Sequence, residues 1–186
     1  MSRVLVAMSG GVDSSVAAAL VKEAGHEAVG VTMKLLDRAD IGFGCCGSPA
    51  DVDDAKRVCE ALGISQYTVD MADLFNDAVI KPFIEAYLSG RTPNPCVECN
   101  RKVKFGHLLG LAEAWKCDAV ATGHYARVEN GRLLKSRDEA KDQTYFLYSL
   151  TSRELGKVMF PVGGTEKSVV REKARQLGLK TADKPE

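Results

Sequence analysis

Long apolar runs, an excess of charge and histidine are scarce in this 186-residue chain. No stretch approaches the apolar length needed to cross a bilayer, which excludes a membrane-spanning reading and leaves a soluble, globular one. The 25 Lys and Arg balance 25 Asp and Glu, so overall charge does not announce the basic face usual for nucleic-acid proteins. None of the three histidines lies at ligand spacing from a cysteine. Cys45 and Cys46 would have to complete a zinc set with Cys96 and Cys99, and adjacent cysteines are poor tetrahedral partners, which counts against structural zinc. The N-terminus offers Arg3 and only a short apolar run before Ser9, too little for a signal peptide, so the expected location is cytoplasmic. In that compartment the six cysteines read as reduced, catalytic or metal-binding rather than as a disulfide framework. Cys59 and Cys117 fall on helix-patterned faces, where a small buried thiol is the ordinary role. Repeats and low-complexity tracts are absent, and the length suits one domain at about 100 to 200 residues per domain.

What is present begins at Val4. An apolar, strand-like run breaks into Ser9, Gly10, Gly11, Val12, Asp13 and Ser14, and then opens a helical pattern. Two glycines permit a turn that side chains would obstruct, so backbone N–H groups and the positive end of the helix dipole can face an anion. The loop lacks the Lys of G-x-x-x-x-G-K-[ST], and it is not G-x-G-x-x-G. Ser-Gly-Gly-Val-Asp-Ser resembles instead the PP-loop of the ATP pyrophosphatases, which split ATP between the α and β phosphates and adenylate a carbonyl-type oxygen.

Strand-like runs at Val4–Met8, Ala28–Met33, Tyr67–Asp70 and Ala119–Thr122 alternate with helical patterns at Ser14–Ala24, Ala50–Leu62, Leu74–Leu88 and Phe105–Lys116. That alternation predicts βαβ units: an α/β fold with a parallel sheet and helices on both faces. Ser48-Pro49 reads as an N-cap with an N1 proline, Gly63 as a helix stop, and Pro82 as a kink or split in the third helix. Asn130-Gly131 predicts a hairpin between Tyr125–Glu129 and Arg132–Lys135, and Thr165–Leu177 an amphipathic helix ended by Gly178. In open sheets of this kind ligands bind beyond the carboxyl ends of the strands, so the loops at Ser9–Asp13, Lys34–Ser48 and Gly123–Tyr125 should converge.

A second constellation spans Gly90 to Phe105. Proline stiffens a loop carrying Cys96 and Cys99, with Arg91, Arg101, Lys102 and Lys104 nearby. A C-x-x-C pair can lower a thiol pKa or bind metal, and neighbouring cations stabilise thiolate. A second cation cluster, Arg127 to Lys141, reads equally well as a solvated face.

Together, the Ser9–Ser15 loop, the Gly90–Phe105 segment, Ala121-Thr122-Gly123-His124-Tyr125 and Lys141-Asp142-Gln143-Thr144-Tyr145-Phe146-Leu147 resemble the tRNA-specific 2-thiouridylases, a branch of the PP-loop superfamily, from Val4 to Lys184. The resemblance implies a Rossmann-like domain of the adenine nucleotide alpha hydrolase type over residues 1–186, with a core to about 165 and a C-terminal helix at about 165–178. It implies ATP-dependent replacement of oxygen by sulfur at C2 of the wobble uridine in tRNA, with ATP, carrying Mg2+, bound by Ala7, Met8, Ser9, Gly10, Gly11, Val12, Asp13 and Ser14, and with Met33 and Gly123 on the adenine and ribose side. Asn94, Pro95 and Cys96 would meet the target base, while His124, Lys141, Asp142 and Gln143 would face tRNA. Cys99 would be the nucleophile, paired with a second cysteine bearing a persulfide that a sulfur-relay protein or cysteine desulfurase supplies. No resident metal and no membrane partner are implied.

Two departures from the family pattern stand out. Many members carry Asp where Cys96 lies, which puts the proton-transfer role of that position in doubt. The persulfide cysteine would fall just after Glu186, so the chain reads as a fragment of a longer protein with β-rich domains beyond. An iron–sulfur cluster on Cys96, Cys99 and that further cysteine is the alternative to the preferred persulfide route. An adenylating PP-loop ligase or amidotransferase acting on another substrate is the alternative activity.

Overall fold

The computed structural model describes residues 1–36 and 48–184. Strand β1 (Arg3–Ala7) buries Val4, Leu5 and Val6 completely, as a strand covered on both faces must. It pairs in parallel with β2 (Glu27–Lys34) on one side and β4 (Ala119–Ala121) on the other. Outside these lie β3 (Ser65–Asp70), parallel to β2, and a short β7 (Val158–Met159), parallel to β4. The order is β3-β2-β1-β4-β7. The chain therefore winds outward from β1 to β3, returns to the far side of β1 as β4, and creates a switch point between β1 and β4.

Period-two alternation divides the core. Val4 and Val6 pack with Val16 and Val21 of α1 (Val12–Glu23), Val58 of α2 (Pro49–Leu62) and Val170 of α8 (Lys167–Gln176). Leu5, Val29 and Val31 meet the opposite layer, which includes Val79, Val103 and Leu108. Helices thus cover both faces, and the α/β Rossmann-like architecture read from the sequence is the one observed. Helix α8 belongs to the first layer and packs directly on α1.

Local chemistry explains the boundaries. Ser48 Oγ accepts from the Asp51 N–H and Asp51 accepts from the Ser48 N–H, a reciprocal cap ahead of Pro49. The hairpin pairs β5 (Ala126–Glu129) with β6 (Arg132–Lys135) in antiparallel register, and Asn130 and Gly131 both adopt positive φ (50° and 71°), as its two-residue turn requires.

The split expected in the third helix is present, the Gly90–Phe105 segment differs from its expected form, and one short strand is not foreshadowed in the sequence. The pattern over 74–88, expected to kink or split at Pro82, runs as α3 (Ala72–Phe75), a π-helical turn, Asn76–Ile80, and α4 (Lys81–Leu88), with Pro82 in the first turn of α4. The Gly90–Phe105 segment is not a loop throughout. Asn94 Oδ1 caps the Cys96 and Val97 N–H groups, Pro95 takes the N1 position, and α5 (Pro95–Glu98) runs on through π-helical Cys99–Phe105 into α6 (Gly106–Ala114). Strand β7 follows a single helical turn, α7 (Ser152–Leu155), and with two residues it offers no alternation to read. No helix among the described residues is long and apolar enough to cross a membrane.

Candidate nucleotide site at the switch point

A cavity of about 190 Å³ opens at the carboxyl ends of β1 and β4. Ala7, Met8, Ser9, Asp13 and Ser14 line it from β1 and its loop, and Met33 from β2. Thr122, Gly123 and His124 close it after β4, with Lys104 and Gln143 at its margin. Two of the three loops expected to converge do so. Of Lys34–Ser48, residues 37–47, with Cys45 and Cys46, lie outside the described residues.

The loop has the construction of an anion cradle. Gly10 holds φ +72°, and a Cβ there would stand 2.3 Å from the Asp51 carbonyl oxygen, so glycine is required for conformation and for space alike. Gly11 takes the N-cap position of α1 with no capping side chain, which leaves first-turn N–H groups for a ligand. Ser9 and Ser14 share a hydroxyl contact of 3.1 Å, and the Ser9 N–H donates to Ser14 Oγ. Ser15 has a different job: its hydroxyl donates to the Gly11 carbonyl at 2.8 Å and accepts from Thr181. The Val12 side chain is buried in the core, so only its backbone can serve a ligand.

Two lysines from the far end of the chain brace this loop, and no local pattern pointed to either. Lys167 Nζ, deeply buried, donates to both oxygens of Asp13 at 2.7 and 2.8 Å, and Tyr125 Oη donates to Oδ1 at 2.9 Å. A carboxylate in the first turn of α1 would repel phosphate, and Lys167 neutralises it. Lys184 Nζ donates to the Gly10 carbonyl at 3.1 Å and to Asp51 and Asp54 at 2.7 Å each. Burial pushes the Asp51 carboxyl up, but hydrogen bonds from Lys184 and Ser48 outweigh it and hold the group below the usual carboxylate range. Hydrogen bonds from Lys184 and then Arg57 hold Asp54 low as well.

Gly123 makes the junction between the two strand ends. A Cβ on it would lie 2.6 Å from the Ser14 nitrogen and 2.7 Å from the Asp13 carbonyl carbon, so the β4 loop rests directly on the start of α1. His124 lies beside Phe105 and Phe160, with Nδ1 2.8 Å from Thr122 Oγ1. Burial, assisted by the Lys104 ammonium, lowers its pKa to about 3, so the ring is neutral near pH 7. A neutral ring has hydrogen-bonding nitrogens for a base or ribose and no charge for a phosphate.

Neither thiol lines this cavity. Cys99 is buried in the layer that holds Met33 and Val103, whereas Cys96 is exposed at the start of α5. Their connection to the site runs through Lys104, on the same π-helical segment as Cys99. The cation cluster expected to favour thiolate is partly spent elsewhere: Arg101 and Lys102 pair with Glu98 at 2.8 and 2.9 Å. Asn94, expected at the target base, has its Oδ1 engaged as a cap, with its amide N–H groups remaining for a ligand. Gln143 lines the cavity and accepts the Tyr125 N–H at 2.9 Å. Asp142 is occupied locally, accepting from the Ser136 N–H and the Thr144 hydroxyl. Lys141 ends a 3-10 turn, Glu139–Lys141, on the same segment.

Among the described residues no group of three or more His, Cys, Asp and Glu is placed to hold a metal ion. Asp13 is the carboxylate among the described residues lining the cavity, and both its oxygens already accept from Lys167 Nζ.

A family model described as tRNA methyl transferase HUP domain matches residues 2–186. The chain belongs to this family. A curated relative from Geobacter metallireducens, named tRNA-specific 2-thiouridylase MnmA, is 48% identical over 195 residues, covering 99% of this chain and 53% of the relative. One of the same name from Sorangium cellulosum is 53% identical over 192 residues, covering 100% of this chain and 50% of its own. The chain thus spans about half the length of the curated relatives it matches. Among solved structures, a 4-thiouridine synthetase in complex with RNA and bound ATP has a TM-score of 0.67 at 19% identity, covering 99% of this chain and 43% of that one. NMN synthetase from Francisella tularensis gives 0.57 at 18%, covering 100% and 66%. At such identities the likeness is one of fold. Membership in the HUP-domain family and the names of its relatives agree with the resemblance drawn from the four motifs.

Proposed function

We propose that this protein binds ATP in the switch-point cavity and uses it to exchange oxygen for sulfur at C2 of the wobble uridine of tRNA. The uridine O2 attacks the α-phosphorus and pyrophosphate leaves; a sulfur nucleophile then adds to C2 and AMP departs with the former O2. The first-turn N–H groups of α1 and the Ser9 and Ser14 hydroxyls hold phosphate, with Mg2+ travelling on the triphosphate. Met33 and Gly123 border the nucleoside, and neutral His124 supplies a hydrogen-bonding edge. Cys99 is the nucleophile toward a persulfide borne by a second cysteine, which a relay protein or desulfurase charges: its thiolate attacks the inner sulfur, the outer sulfur leaves as hydrosulfide and adds to C2, and the disulfide left between the two cysteines is reopened by an external thiol reductant. Asn94, Pro95 and Cys96 meet the base, and Lys141, Asp142 and Gln143 the surrounding RNA.

One observation carries this reading: a cradle with no phosphate-reaching Lys of the P-loop kind shares its cavity with Lys104, from the π-helical segment that begins at Cys99 and continues α5, which carries Cys96. The names of the curated relatives and the subject of the 4-thiouridine synthetase complex support it. Incubation of the full-length protein with tRNA, a sulfur donor and labelled ATP should yield AMP, pyrophosphate and 2-thiouridine. Formation of ADP without AMP would overturn it. Cys99→Ser should abolish thiolation and leave ATP affinity within about twofold, because a hydroxyl keeps the shape but is not deprotonated near neutral pH.

A further inference from the structure

Where the chain leaves the cavity at Gln143 it enters a 3-10 turn, Thr144–Phe146, whose outer face is aromatic. Tyr145 and Tyr148 are 63% and 67% exposed, their ring centroids 6.4 Å apart. Phe146 meets Tyr145 edge-on at 5.5 Å. Two large exposed rings side by side ask for an explanation, since soluble surfaces keep such groups scattered.

The pair is held rigidly. Leu147, between the two tyrosines, is fully buried with Phe105 and Leu155. Asp142 binds the Thr144 hydroxyl at 2.6 Å and the Ser136 N–H at 2.9 Å, and Gln143 is tied to Tyr125 through both its side chain and its backbone. The turn packs on α5, the helix that carries exposed Cys96. Arg101 lies within electrostatic reach of the Tyr148 hydroxyl, and it and Lys102 keep 51% and 41% of their side chains in solvent. Fixed aromatic faces beside accessible cations are the chemistry of an unpaired-nucleotide site, because rings stack on any base and cations follow the backbone. A base entering the cavity must leave its stack, and its neighbours then lose a face that the tyrosines can replace.

We propose that Tyr145 and Tyr148 form a stacking platform for the unpaired nucleotides flanking the base that enters the cavity; this rests on the RNA-substrate reading above. The test is anisotropy binding of a labelled anticodon stem-loop RNA to the full-length protein and to Tyr145→Ala, Tyr148→Ala, Tyr145→Phe and Tyr148→Phe, with thermal melting as a check on folding. Each alanine variant should bind roughly tenfold more weakly with an unchanged salt slope, and each phenylalanine variant should bind as the parent does, since stacking needs the ring and not the hydroxyl. If the parent protein binds no RNA, the substrate reading fails and takes the platform with it. If the parent binds and the alanine variants bind within twofold of it, the platform alone is overturned. It is overturned equally if phenylalanine costs as much as alanine, which would mark a hydroxyl contact, or if the alanine variants lose self-association instead of RNA affinity.

Discussion

The Lys184 ammonium lies 3.1 Å from the carbonyl oxygen of Gly10, at the bend of the phosphate loop. The same nitrogen reaches Asp51 and Asp54, so it orients the Gly10–Gly11 peptide and fastens the loop to α2. Lys184→Gln should weaken ATP binding by roughly tenfold and destabilise the fold by about 1–2 kcal/mol, the range of a hydrogen bond to a charged group in a partly exposed place. Isothermal titration and urea melts measure both. The pH dependence has a definite sign. Asp51 and Asp54 titrate below their ordinary value of 3.8, so their contribution is full above that pH and is lost as pH falls through the folded values. The stability gap between parent and variant should therefore be level near neutrality and shrink below about pH 4.

Lys167→Ala removes the counter-charge of Asp13 from a largely buried pair whose side chains are 11% and 30% exposed. Breaking such a pair leaves a carboxylate at the entrance to the phosphate cradle, with Tyr125 as its remaining donor. The variant should lose about 2–3 kcal/mol of stability and most AMP formation. Lys167→Ala combined with Asp13→Asn should recover stability without activity, which a double-mutant cycle detects.

Gly123→Ala should separate folding from binding. The added methyl would force the β4 loop away from the start of α1, costing about 1–3 kcal/mol and abolishing measurable ATP binding. Gly110→Ala in α6 meets nothing within 4 Å and should be neutral or stabilising by up to about 1 kcal/mol. Equal losses at both positions would refute the close junction.

His124 should stay neutral at every pH used for assay. Its folded pKa of about 3 lies below the ordinary 6.5, so the unfolded chain takes up a proton first as pH falls. Stability should decline below pH 6.5 by about 1 kcal/mol per unit from this ring, and His124→Gln should flatten that slope. An NMR titration showing the His124 ring protonating between pH 6 and 7 would contradict the assignment.

Much of this was legible locally. Ser48-Pro49, Asn130-Gly131 and the strand-turn-helix around Ser9 announce themselves through neighbours within a few positions, and the observed elements follow them. Asn94-Pro95 carries the same cap-and-proline signature as Ser48-Pro49, yet Pro93 and Gly90 beside it suggest a loop, and the helix it starts was obscured. Strand β7 is too short to show a period. Lys167 and Lys184 could not be read at all: they meet their partners 154 and 174 positions away, and only the winding of the sheet brings them there.

That long reach bears on how the protein is made. The phosphate loop precedes its supports in the order of synthesis, and β1 needs β4, whose partner residues lie more than 100 positions later, to cover its second side. Its braces come later still, as Thr181 meets Ser15 across 166 positions. The Ser-Gly-Gly-Val-Asp-Ser sequence therefore gains its bracing contacts only once residues 167 to 184 have been made. Among the described residues, the loop that comes early in the chain is thus one of the last parts to reach its final form.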